Sequence, residues 1–217
     1  MFGIENYLGF IVAAILLNLT PGTDSMYIIT RSISQGTKAG FYSVLGITSG
    51  TLVHTLLASL GLSVLLAKSP MAFMLVKYIG AGYLCYLGLK MIMSKKEPLI
   101  ANSLQDQGSS VSSKHSNNWQ IYKQGVLTNV LNPKVALFFL AFFPQFVDPN
   151  YAYGMLSFLI LGLTFASTGL VWCLCLALLA SVLSKSLRGN PSFETILNKI
   201  SGTVFVGMGV KLMTEKV

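Results

Sequence analysis

The chain has 217 residues, 53% of them hydrophobic and only 10% charged, where a soluble domain carries roughly 25% charged residues. Together with a mean hydropathy of +0.66, this excludes an ordinary soluble domain and points to an all-α integral membrane protein. The net charge of +8 then reflects the distribution of basic loops about a membrane rather than a surface for nucleic acid.

Hydropathy predicts six spans, near residues 7–31, 39–67, 71–93, 124–147, 153–184 and 195–213. The first opens on the apolar stretch Tyr7 to Leu19. It is preceded by Glu5 without Lys or Arg and is followed by Pro-Gly-Thr-Asp instead of a small-residue cleavage site, so it reads as retained helix and not as a leader. Its second half carries Asn18-Leu19-Thr20-Pro21-Gly22-Thr23-Asp24. Proline removes a backbone donor and clashes with the preceding turn, so main-chain groups are freed inside a hydrophobic run. Lipid cannot satisfy them; such breaks persist where they face protein or a water-filled cavity.

The second span is free of Asp, Glu, Lys and Arg from Ala39 to Ala67 and contains His54. Gly36, Gly40, Gly46, Gly50 and Gly61 punctuate it and its entry. The Gly46/Gly50 pair is a Gly-x-x-x-Gly motif that lets helix backbones approach closely; packing within one protomer is the favoured reading, with a homodimer as the alternative. After the third span, Ser94 to Gln120 is rich in Ser, Asn, Gln and Lys and reads as a flexible polar loop.

The fourth span repeats the first span's peculiarity in Asn129-Val130-Leu131-Asn132-Pro133-Lys134. Paired interruptions in corresponding places of two halves point to a transporter's binding site. The halves also match in their third helices, where Ile79-Gly80-Ala81-Gly82 through Gly88-Leu89-Lys90 parallels Ile200-Ser201-Gly202-Thr203 through Gly209-Val210-Lys211. The expected architecture is therefore two inverted three-helix repeats, residues 1–93 and 121–217, joined by the loop 94–120, with the first and fourth helices broken at their proline motifs. The loops after spans one, three and five collect Arg31, Lys38, Lys90, Lys95, Lys96, Lys114, Lys123, Lys185, Arg188 and Lys199, against Lys68, Lys211 and Lys216 opposite. The positive-inside rule puts loop 94–120 in the cytoplasm and both termini outside; a re-entrant first helix would change this.

Asp24 is the sharpest chemical candidate. A carboxylate within a span is costly and usually functional, and exchanging a proton is one way to relieve that cost. Capping the resumed helix is the alternative use. Lys134 can pair with Asp24, or run its ammonium out to the cytoplasmic interface. Asn18, Thr20, Asn129 and Asn132 can bind freed carbonyls or a ligand, and the resumed half-helices beyond Pro21-Gly22 and Pro133 offer positive ends to a carboxylate. His54 can relay protons, or simply bond a neighbouring helix. Cys85, Cys173 and Cys175 lie in apolar stretches without Cys-x-x-Cys spacing and read as packing residues. No Gly-x-x-x-x-Gly-Lys motif and no paired-histidine metal site occur, so no catalytic residue, metal or cofactor is expected.

At these residues the chain resembles the lysine exporter and homoserine/threonine exporter family of bacterial amino-acid effluxers. The likeness is carried by Asn18 through Asp24, Thr30-Arg31-Ser32, Gln35-Gly36, Gly46-Ile47-x-x-Gly50 with His54, Gly80-Ala81-x-Tyr83-Leu84-x-Tyr86-Leu87-Gly88, and Gln124-Gly125 through Asn132-Pro133-Lys134. It spans residues 5 to 213 apart from the loop, and departs where Thr23 stands in place of a frequent second proline. The resemblance implies a non-enzymatic, multi-pass exporter of small neutral or polar amino acids, such as threonine, homoserine or leucine. It would sit in the bacterial cytoplasmic membrane and be driven by proton antiport. The binding site implied is Asn18, Thr20, Pro21, Gly22, Asp24, Asn129, Asn132, Pro133 and Lys134, with Asp24 and His54 in proton coupling. Two other classes stand beside it: an exporter of a cation or metal ion, and a membrane thiol-disulfide enzyme.

Overall fold

The structure is a computed structural model that describes residues 2–68, 117–148 and 153–182, with isolated positions of 71–93 and 199–210. Among the described residues all regular elements are helical, apart from a single bridge between Ile4 and Val147. Helix α1 spans Tyr7–Leu19 and is capped by Asn6, whose side chain accepts from Gly9 N. It ends two residues before Pro21, because proline cannot supply the N–H that would reach back to Leu17 O. Helix α2, Thr23–Gln35, restarts beyond Gly22 at 49° to α1. A single residue, Gly36, then turns the chain into α3, Thr37–Lys68; its φ of +82° and ψ of 177° lie in a region open to glycine.

The second half begins in the same way. Asn117 accepts from Trp119 N at 3.4 Å and starts α4, Asn118–Val130. This cap lies inside the stretch read as loop, so the helix begins earlier than the run of apolar residues suggests. Pro133 then opens α5, Pro133–Phe142, which tightens into a 3-10 turn, Phe143–Phe146, the pair lying at 50° to α4. Helix α6 follows at Gly154–Val182. Residues 37–62 of α3 and 154–180 of α6 are each long and apolar enough to cross a membrane, and the described crossings rise to four if each bent pair is one span. The expected third and sixth spans, and the expected loop up to residue 116, fall largely outside the described residues. Their isolated described positions are helical, and Cys85 Sγ lies 3.9 Å from Val206 O.

Helix α3 is inside-out relative to a helix of a soluble protein. Ser43, Thr51, His54, Thr55 and Ser59 are buried, whereas Leu45, Leu52, Val53, Leu56, Leu57 and Leu60 are exposed. An exposed leucine face with a polar interior suits hydrocarbon, where internal hydroxyls satisfy themselves on helical carbonyls; Thr55 Oγ1 donates to Thr51 O at 2.9 Å and Ser43 Oγ to Ala39 O at 2.9 Å. The α3–α4 seam is made by glycines: a Cβ on Gly46 would stand 2.9 Å from Gly125 Cα, and one on Gly125 would stand 3.0 Å from Ser43 O. The Gly-x-x-x-Gly face is thus covered by α4 of the same chain.

Two apolar clusters flank the helix breaks. Phe10, Phe138, Phe139, Phe142, Phe143, Phe146, Phe158 and Phe165 bind α1 and α5 to α6 on one side. Tyr27, Ile28, Val44, Ile47, Ile121, Cys173 and Ala177 bind α2 and α4 to α3 and α6 on the other. Beyond the phenylalanines, Glu5 N donates to Phe146 O and Asp148 N to Gly3 O, each at 2.9 Å. Between the clusters lies the polar layer.

Candidate functional site

Each proline leaves one carbonyl, four residues before it, without its helical donor: Leu17 O before Pro21 and Asn129 O before Pro133. Each of the two carbonyls accepts from a side chain of the opposite half. Lys134 Nζ donates to Leu17 O at 3.0 Å and also to Thr20 O at 2.8 Å. His54 Nε2 lies 3.2 Å from Asn129 O and carries the proton in that bond, since a carbonyl only accepts. The breaks also repair themselves locally. Thr20 Oγ1 donates to Leu16 O at 2.7 Å, and Thr20 N reaches Leu16 O and Leu17 O at 3.1 and 3.2 Å. Asn132 N bonds Asn129 O at 3.0 Å.

The resumed half-helices differ at their starts. Asn132 caps α5, its side chain accepting from Lys134 N at 3.0 Å. Gly22 offers no side-chain cap to α2. Asp24 therefore sits in the first turn of a helix whose leading N–H groups have no capping side chain, where the helix dipole favours negative charge. Asp24 Oδ2 accepts from Asn129 Nδ2 at 2.8 Å, while Oδ1 is buried with no hydrogen-bond partner. Lys134 serves the α1 carbonyls, so the direct Asp24–Lys134 pair and the outward-running lysine are both replaced by a third arrangement. The physical reason is proximity: Leu17 O, freed by Pro21, and Thr20 O at the break itself are nearer uses for a buried ammonium than the interface.

Asn18, Thr20, Gly22, Asp24, Asn129, Asn132 and Lys134 line one cavity of about 40 Å³. That volume holds about two or three waters. Pro21 and Pro133 form the breaks without lining the cavity, and His54 stands behind Asn129, stacked on Phe139 at 5.6 Å between ring centroids. Asn18 faces α6, donating to Thr168 Oγ1 at 3.1 Å. Thr48, Thr51, Phe165, Gly169 and Cys173 also line the cavity. They sit in otherwise uniform apolar helices, where only their contact with the breaks marks them out. Cys173 is buried at the cavity rather than remote from the broken helices, and Cys175, two residues on, is exposed on the other face. Among the described residues no group of three or more His, Cys, Asp or Glu gathers as a metal site would require.

On the α2–α4 side, Tyr27 OH donates to Ile121 O at 2.7 Å and Arg31 Nη2 to Gln124 Oε1 at 2.6 Å, with the Arg31 guanidinium 5.5 Å from the Tyr27 ring centroid. On the α1–α5 side the phenylalanine cluster packs beside the cavity, with Phe165 in its lining. The result is a small chamber with polar groups where the two helix breaks meet.

Comparison with known proteins decides the family: the LysE type translocator profile matches residues 15–216. The chain belongs to that family. It is 34% identical over 212 residues to an uncharacterized membrane protein, YrhP, of Bacillus subtilis, covering 96% of this chain and 98% of that protein. A leucine efflux protein of Klebsiella pneumoniae is 32% identical over 213 residues, covering 98% and 97% respectively. A leucine efflux protein of Salmonella choleraesuis is 28% identical over the same coverage. No solved structure matches the chain. As a member of that family, the chain is a translocator of the LysE type.

Proposed function

We propose that the protein exports small neutral or polar amino acids, leucine foremost, across the bacterial cytoplasmic membrane in exchange for protons, with Asp24 carrying the proton. The observation that carries this reading is the buried, unpartnered Asp24 Oδ1 in a chamber formed where both helix breaks meet. The uncapped first turn of α2 suits a substrate carboxylate, and the carbonyls of Leu17 and Thr20 suit an ammonium. An α-amino acid presents both groups on one carbon. The names of the leucine efflux relatives support leucine as the first substrate to test.

In this reading each bent helix pair is one crossing, and the chain is two inverted repeats in which α1, α2 and α3 correspond to α4, α5 and α6. The near-equal bends and the reciprocal repair of the two freed carbonyls support the correspondence. Both termini lie outside and loop 94–120 lies in the cytoplasm, as the basic residues suggest. The test is export of labelled leucine from proteoliposomes under an imposed pH gradient, comparing wild type with Asp24→Asn. Wild type accumulates leucine against its gradient and the variant does not. Unchanged uphill transport in the variant would remove Asp24 from coupling.

A further inference from the structure

The ammonium of Lys134 and the ammonium of an amino acid seek the same two oxygens. Leu17 O and Thr20 O lie 3.0 and 2.8 Å from Lys134 Nζ. Pro21 leaves Leu17 O without its helical donor, Thr20 O lies at the break itself, and a primary ammonium has three donors with no other use at this depth. Nearby, Asp24 Oδ1 is buried without a partner in the same cavity. The Lys134 side chain passes Gly22 on the way: its Cδ and Nζ are each 3.6 Å from where a Gly22 Cβ would stand. The site therefore holds one cation, one occupied pair of carbonyls and one unused carboxylate oxygen two residues beyond that glycine.

We infer that Lys134 is a tethered competitor for the substrate's ammonium position, displaced from the Leu17 and Thr20 carbonyls only when an ionised Asp24 is there to receive it. This rests on the reading of the chain as a proton-coupled amino-acid exporter and supplies its exchange rule. With Asp24 ionised, the incoming ammonium takes the carbonyls and Lys134 moves to Asp24 Oδ1, so no buried charge is left alone. With Asp24 protonated, Lys134 has no anion to move to and stays on the carbonyls, which excludes the substrate. Proton and amino acid are then mutually exclusive ligands, and linkage makes the exclusion reciprocal: a proton arriving from outside expels the substrate, and a substrate arriving from inside expels the proton. The titratable groups around Asp24 are Lys134 on α5, His54 on α3 and Cys173 on α6. The neutral amides of Asn129 on α4 and of the α5 cap Asn132 also stand beside the carboxylate, and His54 is engaged on Asn129 O.

The test is labelled-leucine binding to the full chain over a range of pH, for wild type, Asp24→Asn, Lys134→Met and the double variant. Wild-type binding weakens on acidification. Asp24→Asn alone binds about a hundredfold more weakly than wild type with Asp24 ionised, and loses nothing further on acidification, because the lysine cannot leave. Lys134→Met alone binds without pH dependence, and adding it to Asp24→Asn restores binding to near the wild-type level. A double variant weaker than either single variant would overturn the inference, since the two residues would then be holding the substrate directly. Should the double variant not fold, competition on wild type decides: leucinol, which keeps the ammonium, displaces leucine, and 2-hydroxyisocaproate, which lacks it, does not. The opposite pattern would overturn the inference. Wild type that neither binds nor exports leucine, threonine or homoserine defeats the proposed function itself. Wild type that exports leucine while a folded double variant fails to bind it defeats this inference alone.

Discussion

Asn129 shows how much of the site depends on single contacts. Its amide donates to Asp24, its carbonyl accepts from His54, and its Cβ packs on Gly50, where an added Cβ would stand 2.7 Å away and 2.8 Å from Asn129 Oδ1. Gly50→Ala must therefore push Asn129 away from Asp24, and overpacking of this kind costs about 1–3 kcal/mol. Gly61, on the same helix, has open space around it. Leucine export by Gly50→Ala in proteoliposomes is expected to fall at least about tenfold, while Gly61→Ala keeps wild-type export and expression. The sequence marks Gly46 and Gly50 as a close-approach pair and Gly61 as one more glycine of the span, because spacing shows that a backbone can approach closely and not what approaches it. The same limit applies to Lys134. Its position beside Pro133 is plain in the sequence, but the carbonyls it binds lie more than a hundred residues away in the other half.

At the scale of elements, the two sides of the chamber are flanked by different chemistry. The α1–α5 side is packed by stacked and edge-on phenylalanines, with Phe138–Phe142 centroids 4.5 Å apart and Phe139–Phe143 4.1 Å. The α2–α4 side is joined by the Tyr27–Ile121 and Arg31–Gln124 hydrogen bonds. Each hydrogen bond contributes about 1 kcal/mol net, so losing one shifts an open–closed balance about fivefold. Tyr27→Phe, in a background with Cys85 and Cys175 changed to serine, is expected to speed thiol labelling of Cys173 by about that factor. An unchanged rate would show that this pair does not seal the chamber. The helix breaks were legible because proline has an unavoidable effect on backbone bonding. The start of α4 was not, since Asn117 caps a polar first turn that hydropathy reads as loop. Cys173 and Thr51 were invisible as lining residues, because a helix buried or greasy all round has no preferred face to read.

For the molecule as a whole, the helical, apolar character and two helices long enough to cross a membrane followed from composition and hydropathy. The family resemblance stated on those residues is matched by the translocator profile over residues 15–216. The orientation rests on basic residues and has its own check. A cysteine introduced by Ser110→Cys in an otherwise cysteine-free chain is expected to react with an impermeant maleimide only after spheroplasts are opened; labelling of intact spheroplasts would reverse the topology. The strand-like pairing of Gly3–Glu5 with Phe146–Asp148 bears on how such a molecule can move. Those main-chain bonds yoke the far ends of α1 and α5, so the two half-helices cannot be prised apart like jaws at that end. A path to the chamber from that face must instead come from both tilting together, as one rocker, away from the cradle of α3 and α6.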